Sequence, residues 1–164
     1  MSNNIANQLE ILTNFFNEKM IDYLLINHES GGKCDEVSEI RGTEVGQGAK
    51  ALVCKIKEIT SPQYLLAVIP GDRQLDFKKL ALQIGVKKIT LANVDEVYDL
   101  TNCVPGAVPP FSFHENLKLV ADPSLFQRYE EIAFNAGSLE ASVKLKSKDY
   151  LNITTPLLLD IIKS

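Results

Sequence analysis

Tyr64-Leu65-Leu66-Ala67-Val68-Ile69 is a nearly continuous apolar run, closed by Pro70-Gly71-Asp72. A strand with one wet face alternates polar and apolar residues. This one does not, and its short length argues against a buried helix. It therefore predicts a central strand buried on both faces, which requires helices packed on a sheet. Upstream, Ala49 to Ile56 reads as a second strand, and Ser61-Pro62 turns the chain between the two. Downstream, Asp76 caps a helix that runs to Ile84, with Gly85 as its C-terminal glycine.

The rest of the chain alternates in the same manner. Asn3 or Asn4 can cap a helix to about Met20, with Ile5, Leu9, Leu12 and Phe16 on one face. Tyr23 to Asn27 is a strand, and Glu29-Ser30-Gly31-Gly32 a loop. Cys34 to Arg41 reads as a short helix with Val37 and Ile40 on its apolar side. Lys88 to Leu91 is a strand, and Asn93 caps an acidic helix to Leu100. Strands follow at Leu117–Ala121, at Glu131–Asn135, where Ala136-Gly137 breaks the run, and at Ser142–Lys146. Pro123 to Phe126 makes one helical turn, and Ser147 caps a short helix. Residues 157–162 form a last element whose type the pattern leaves open. Helices and strands interleave without strict βαβ repetition. The expected fold is α/β: a mixed, curved sheet surrounded by helices, in a single domain spanning 1–164.

Composition narrows the function. A 45% hydrophobic and 23% charged content is ordinary for a globular chain, and the net charge of −4 argues against a broad nucleic-acid surface. No apolar run is long enough to span a bilayer, and the first residues lack a signal peptide's basic and apolar regions, so the expected location is cytoplasmic. Cys34, Cys54 and Cys103 show no zinc spacing, and no metal or cofactor is expected.

Three prolines stiffen Asn102-Cys103-Val104-Pro105-Gly106-Ala107-Val108-Pro109-Pro110-Phe111, and Gly106 can adopt a positive φ. A stiff, apolar loop suits a pocket wall; composition equally allows a packed connector. Lys50 follows a glycine-rich stretch and opens a strand, so its ammonium either enters a cavity or snorkels to water. His28 and His114 are the only histidines, and no nucleophile elbow accompanies them. A thiol-dependent reaction would rest only on Cys103 beside the loop.

Several blocks, in order, resemble the YbaK / prolyl-tRNA-editing family of aminoacyl-tRNA deacylases. They are Ala49-Lys50-Ala51-Leu52-Val53-Cys54; Val68 to Asp76; Ile84-Gly85-Val86-Lys87-Lys88; Leu91-Ala92; Thr101 to Phe111; and Phe134-Asn135-Ala136-Gly137-Ser138. The resemblance implies a stand-alone enzyme that hydrolyses the ester between a wrong amino acid and the 3′-terminal adenosine of tRNA. Lys50 matches the family's characteristic lysine and is the expected catalytic residue. Gly106 to Pro110 matches its G-x-x-x-P loop, so Gly106, Ala107, Val108 and Pro110 are expected to bind substrate. Asn135 and Gly137 match a pocket stretch, and His28 a histidine at the pocket mouth; each also has a purely structural reading. The segment Glu39 to Thr43 resembles a subgroup acting on seryl and threonyl esters, with Thr43, Ser38 or Asn135 as the group that could bind a hydroxyl. Alanyl esters stay open. The implied partner is the acceptor end of aminoacyl-tRNA, with a synthetase or elongation factor as a further partner. The alternative function is a non-catalytic aminoacyl-tRNA or synthetase-binding module. The geometric expectation is that Gly106 to Pro110 faces Lys50 across a small cavity.

Overall fold

The structure, a computed structural model, describes residues 3–29, 34–57 and 63–164, so the expected loop at Ser30–Gly32 and the Ser61-Pro62 turn lie outside the described residues. The elements in order are α1 (Asn3–Glu18), β1 (Tyr23–Asn27), α2 (Cys34–Arg41), β2 (Ala49–Ile56), β3 (Gln63–Pro70), α3 (Phe77–Ile84), β4 (Ile89–Leu91) and α4 (Val94–Thr101). They continue with β5 (Leu117–Ala121), α5 (Ser124–Arg128), β6 (Glu131–Ser138), β7 (Ala141–Lys146), α6 (Ser147–Thr154) and β8 (Leu157–Leu158). A short 3-10 turn at Val45–Gln47 leads into β2.

The strands divide into two sheets. One has the order β4-β2-β3-β5-β8 and the other β1-β7-β6. In the larger sheet β2 runs antiparallel to β3 and β5 parallel to it, so the sheet is mixed as expected. The apolar run occupies its centre: Leu65 to Ile69 are all buried. Strand alternation sends Val68 into a core shared with Phe16, Phe134 and Tyr150, and Ile69 into another with Leu75 and Leu80. A parallel bridge between Gly48 and Ala133 joins the two sheets at the start of β2.

The caps behave as their side chains dictate. Asp76 accepts from the Lys79 N–H, and Gly85 closes α3 at φ +85°. Asn93 and Glu96 form a reciprocal capping box, and Asn102 ends α4 in the left-handed region. Ser147 is not a cap: Lys146 holds that position, and the Ser147 hydroxyl donates to Tyr129 O at 2.7 Å. Ile40 does not face a core either; it is exposed, whereas Arg41 beside it is buried. The strand expected to break at Ala136-Gly137 continues to Ser138. Gly137 takes φ +83°, and a register shift between Asn135 and Ser138 absorbs it as a bulge.

Candidate functional site

The proline loop is seated by β6 and α6. Phe111 is buried among Phe16, Phe134 and Tyr150, and the Tyr150 hydroxyl donates to Pro110 O at 2.6 Å. Ala107 and Val108 pack with Val53, Leu66 and Leu117. The tip, Val104 to Gly106, is exposed. Two peptide planes of this loop are held at their oxygens. The Asn135 side-chain amide donates to Gly106 O at 2.7 Å, and the Gly137 N–H donates to Ala107 O at 3.0 Å. The Ala107 N–H is taken by Val104 O at 3.0 Å, so it is not a free donor. The N–H groups of Gly106 and Val108 meet no acceptor among the described residues. With φ +89° at Gly106, the chain turns sharply between them.

Asn135 belongs to a wider network. Arg41 donates through Nη2 to Asn135 Oδ1 at 3.1 Å and through Nε to Ser142 Oγ at 2.8 Å. Ser142 Oγ lies 2.7 Å from His28 Nε2 and 3.3 Å from Asn135 Oδ1, and His28 Nδ1 lies 2.7 Å from the Glu29 carbonyl. A carbonyl can only accept, so Nδ1 carries the proton. The Ser142 hydroxyl accepts from Arg41 Nε and donates to Asn135 Oδ1, with His28 Nε2 against the same hydroxyl oxygen. The His28–Ser142 contact resembles a nucleophile and its base, but Ser142 is fully buried and enclosed by Arg41 and Asn135. An ester carbon has no approach to it, so the pair is structural.

Lys50 lies on β2. The bridge pairs Gly48 with Ala133 in parallel, so Lys50 and Asn135, each two residues on, start from adjacent strand ends. A Cβ on Gly48 would stand 3.6 Å from Arg41 Nη1, which places that guanidinium over the same strand end. The Lys50 ammonium donates to Arg73 O at 3.1 Å. Its cross-strand partner is Ile69, and Ile69 belongs to the core opposite the one that receives Ala107 and Val108. The apolar part of the loop therefore does not confront Lys50 across a cavity as expected.

The turn before Lys50 is clamped. Arg128 donates to both Asp72 oxygens, at 2.9 and 2.7 Å, and lies over the Tyr129 ring. The Arg128 guanidinium holds the Asp72 carboxyl below the usual range. A Cβ on Gly46 would meet the ends of the Arg128, Tyr129 and Asp72 side chains at 2.7–2.8 Å, so a side chain there would push this clamp apart. The Gly71 N–H donates to Gly48 O at 2.8 Å, locking the same turn to the end of β3.

Thr43 sits at the end of α2, where its N–H donates to Ser38 O at 2.9 Å. Cys103 is buried, and burial pushes its thiol up; burial likewise takes Cys54 to about 12. Neither forms a ready thiolate. The His114 Nδ1 accepts from the Asn116 N–H at 3.0 Å in a loop turn. Sequence reading missed Arg41 and Ser142. In the alternation Ser142-Val143-Lys144-Leu145-Lys146, serine falls in phase with two lysines and reads as solvent-facing. Only packing by α2 and His28 reveals it as buried.

The chain matches the model of the aminoacyl-tRNA editing domain over residues 28–153. It is 56% identical over 139 residues to the Multifunctional Ser/Thr-tRNA deacylase ProXp-y of Escherichia coli (strain K12), a match covering 85% of this chain and 83% of that protein. It is 33% identical over 87 residues to the proline–tRNA ligase of Trichlorobacter lovleyi, across 53% of this chain and 15% of that one. The solved structure of the hypothetical protein APE2540 superposes with a TM-score of 0.82 at 20% identity, covering 93% of this chain and 99% of its own, a likeness of fold.

Proposed function

The chain belongs to the aminoacyl-tRNA editing domain family, and on that premise we propose that it is a trans-editing deacylase acting on seryl and threonyl esters of mischarged tRNA. The observation that carries this reading is the 56% identity, over 85% of the chain, to a Ser/Thr-tRNA deacylase.

The reaction adds water across an activated ester. Lys50 is the charged group that meets the substrate. Its ammonium has three N–H donors, and the one bond to Arg73 O leaves two for a phosphate of the tRNA end. The N–H groups of Gly106 and Val108 hold the aminoacyl carbonyl as negative charge develops on its oxygen. Ala107 and Pro110 form the wall beside them, and Gly137 and Asn135 hold the loop in place. The attacking water is assisted by the adjacent ribose hydroxyl. Placing water, ester and donors together supplies the rate, because an ester needs no further activation. Thr43 selects the side chain, where a hydrogen-bonding group discriminates hydroxylated residues better than size alone, and His28, bonded at both ring nitrogens, supports the network beside it. The protein works as one domain in the cytoplasm on the acceptor end of the tRNA, with selectivity for particular tRNAs supplied by a synthetase or elongation-factor partner. No described helix is long and apolar enough to cross a membrane.

A deacylation panel over mischarged tRNAs tests the reading. Release of serine and threonine is expected, with Lys50→Ala lowering turnover about 100-fold or more while the fold persists. Tight binding of a non-hydrolysable seryl-adenosine analogue with no turnover on any tRNA would replace the enzyme with a binding module. Intact turnover in the lysine variant would remove Lys50 from the mechanism.

A further inference from the structure

We propose that Arg41 and Ser142 are positioning residues for this deacylation, acting through Asn135 to fix the peptide planes of the Gly106–Val108 loop. The proposal rests on the deacylase reading and names groups that it does not use.

Arg41 only donates, and its Nη2 is 3.1 Å from the Asn135 side chain, so that side chain must present its oxygen there. Gly106 O only accepts, and it lies 2.7 Å from the other end, which must therefore be the NH₂ group. Asparagine satisfies both demands in one orientation. Aspartate would set an oxygen against the carbonyl, and an apolar residue would leave both partners unmade.

The orientation of Arg41 is itself fixed. Its Nε donates to Ser142 Oγ at 2.8 Å, and that hydroxyl is oriented by His28 at 2.7 Å. Arg41 and Ser142 are both buried, so these bonds form away from bulk water. The consequence lies in the loop. Gly106 O and the Ala107 N–H share one peptide plane, held at one edge by Asn135 and at the other by Val104 O at 3.0 Å. Ala107 O and the Val108 N–H share the next plane, held by the Gly137 N–H at 3.0 Å. Clamping both planes at their oxygens aims the Val108 N–H directly and fixes the Gly106 Cα from which the preceding plane, with the Gly106 N–H, departs, without touching either donor.

Single-turnover and steady-state kinetics of Ser142→Ala, Arg41→Lys and Asn135→Ala on seryl- and threonyl-tRNA test this. Ser142→Ala removes only a hydroxyl, and its use does not depend on Arg41→Lys folding. Each variant is expected to lower kcat about 10- to 100-fold with KM within about threefold, since the loop would misplace reacting groups rather than lose substrate contact. Combining Ser142→Ala with Asn135→Ala should be no worse than Asn135→Ala alone, because both act along one chain of bonds. In ¹⁵N-resolved spectra of the Ser142→Ala protein, the Gly106 and Ala107 amide resonances should shift. Multiplying effects in the double variant, wild-type kcat in the single variants, or unmoved loop resonances would each overturn the proposal. If the unaltered protein turned over no mischarged tRNA, the deacylase reading would fall, and the spectra would still decide whether the clamp exists.

Discussion

Glu96 shows how a single carboxylate can tie two strands to a helix. Its Oε1 accepts the Asn93 N–H at 3.0 Å, completing the cap of α4. Its Oε2 accepts the Tyr64 hydroxyl and lies 2.9 Å from Lys55 Nζ. The tyrosine bond first, then Lys55 and the Asn93 N–H, hold the Glu96 carboxyl down to about 2. A depressed carboxyl stabilises the fold at any pH above its unfolded value of about 4.3. That contribution should fade as pH falls from about 4.3 through about 2, because the unfolded chain takes up the proton first. Urea titrations across this window are expected to show a steeper loss of stability for the unaltered protein than for Glu96→Gln. Parallel curves would show that the carboxylate is not coupled to folding. At the same scale the glycines divide by cause. Gly137 serves a positive φ, and a Cβ there would also stand 2.9 Å from Gln8 Cβ; Gly46 serves only a close approach. Sequence alone shows a glycine in both places and cannot separate the two reasons.

Among the elements, α6 has a role that its pattern does not announce. It carries Tyr150, which is fully buried and stacked near Phe126, with its hydroxyl on Pro110 O at 2.6 Å. This bond anchors the rigid end of the G-x-x-x-P loop to a helix at the far end of the chain. Tyr150→Phe keeps the ring and leaves a buried carbonyl unpaired, so it should cost about 1–3 kcal/mol of stability by chemical denaturation. An unchanged denaturation midpoint would mean that the carbonyl finds another donor. The strand and helix spans were largely legible, because caps and periodicity act within a few residues. Asp76, Asn93 and Gly85 mark ends where the sequence places them. β6 reads three residues too short from the sequence, since a bulge looks like a break until its partner strand is present. Ser147 looked like a cap, and a carbonyl from another part of the chain claimed its hydroxyl.

For the whole molecule, the net charge of −4 bears on how tRNA is met. Each phosphate contact contributes roughly −0.7 to −0.9 to the slope of log affinity on log salt. Contact confined to the acceptor end should give a slope in log kcat/KM shallower than about −4, measured on whole aminoacyl-tRNA. A slope near −8 or steeper would indicate wide backbone binding and sink that view. The apolar run at Tyr64–Ile69 determined by itself that a central, doubly covered strand exists, and with it the α/β class, because burial on both faces leaves no polar alternation to preserve. The ordered motifs likewise identified the family and singled out Lys50 and the proline loop. Tertiary structure alone decided that the strands split into two sheets joined at Gly48 and Ala133. It alone placed Lys50 on Arg73 O rather than against the loop, and drew Arg41, Ser142 and His28 onto Asn135. The physical reason is range. Propensity, caps and alternation are set by near neighbours, whereas a buried hydrogen bond between residues about a hundred positions apart depends on which strand ends the fold brings side by side.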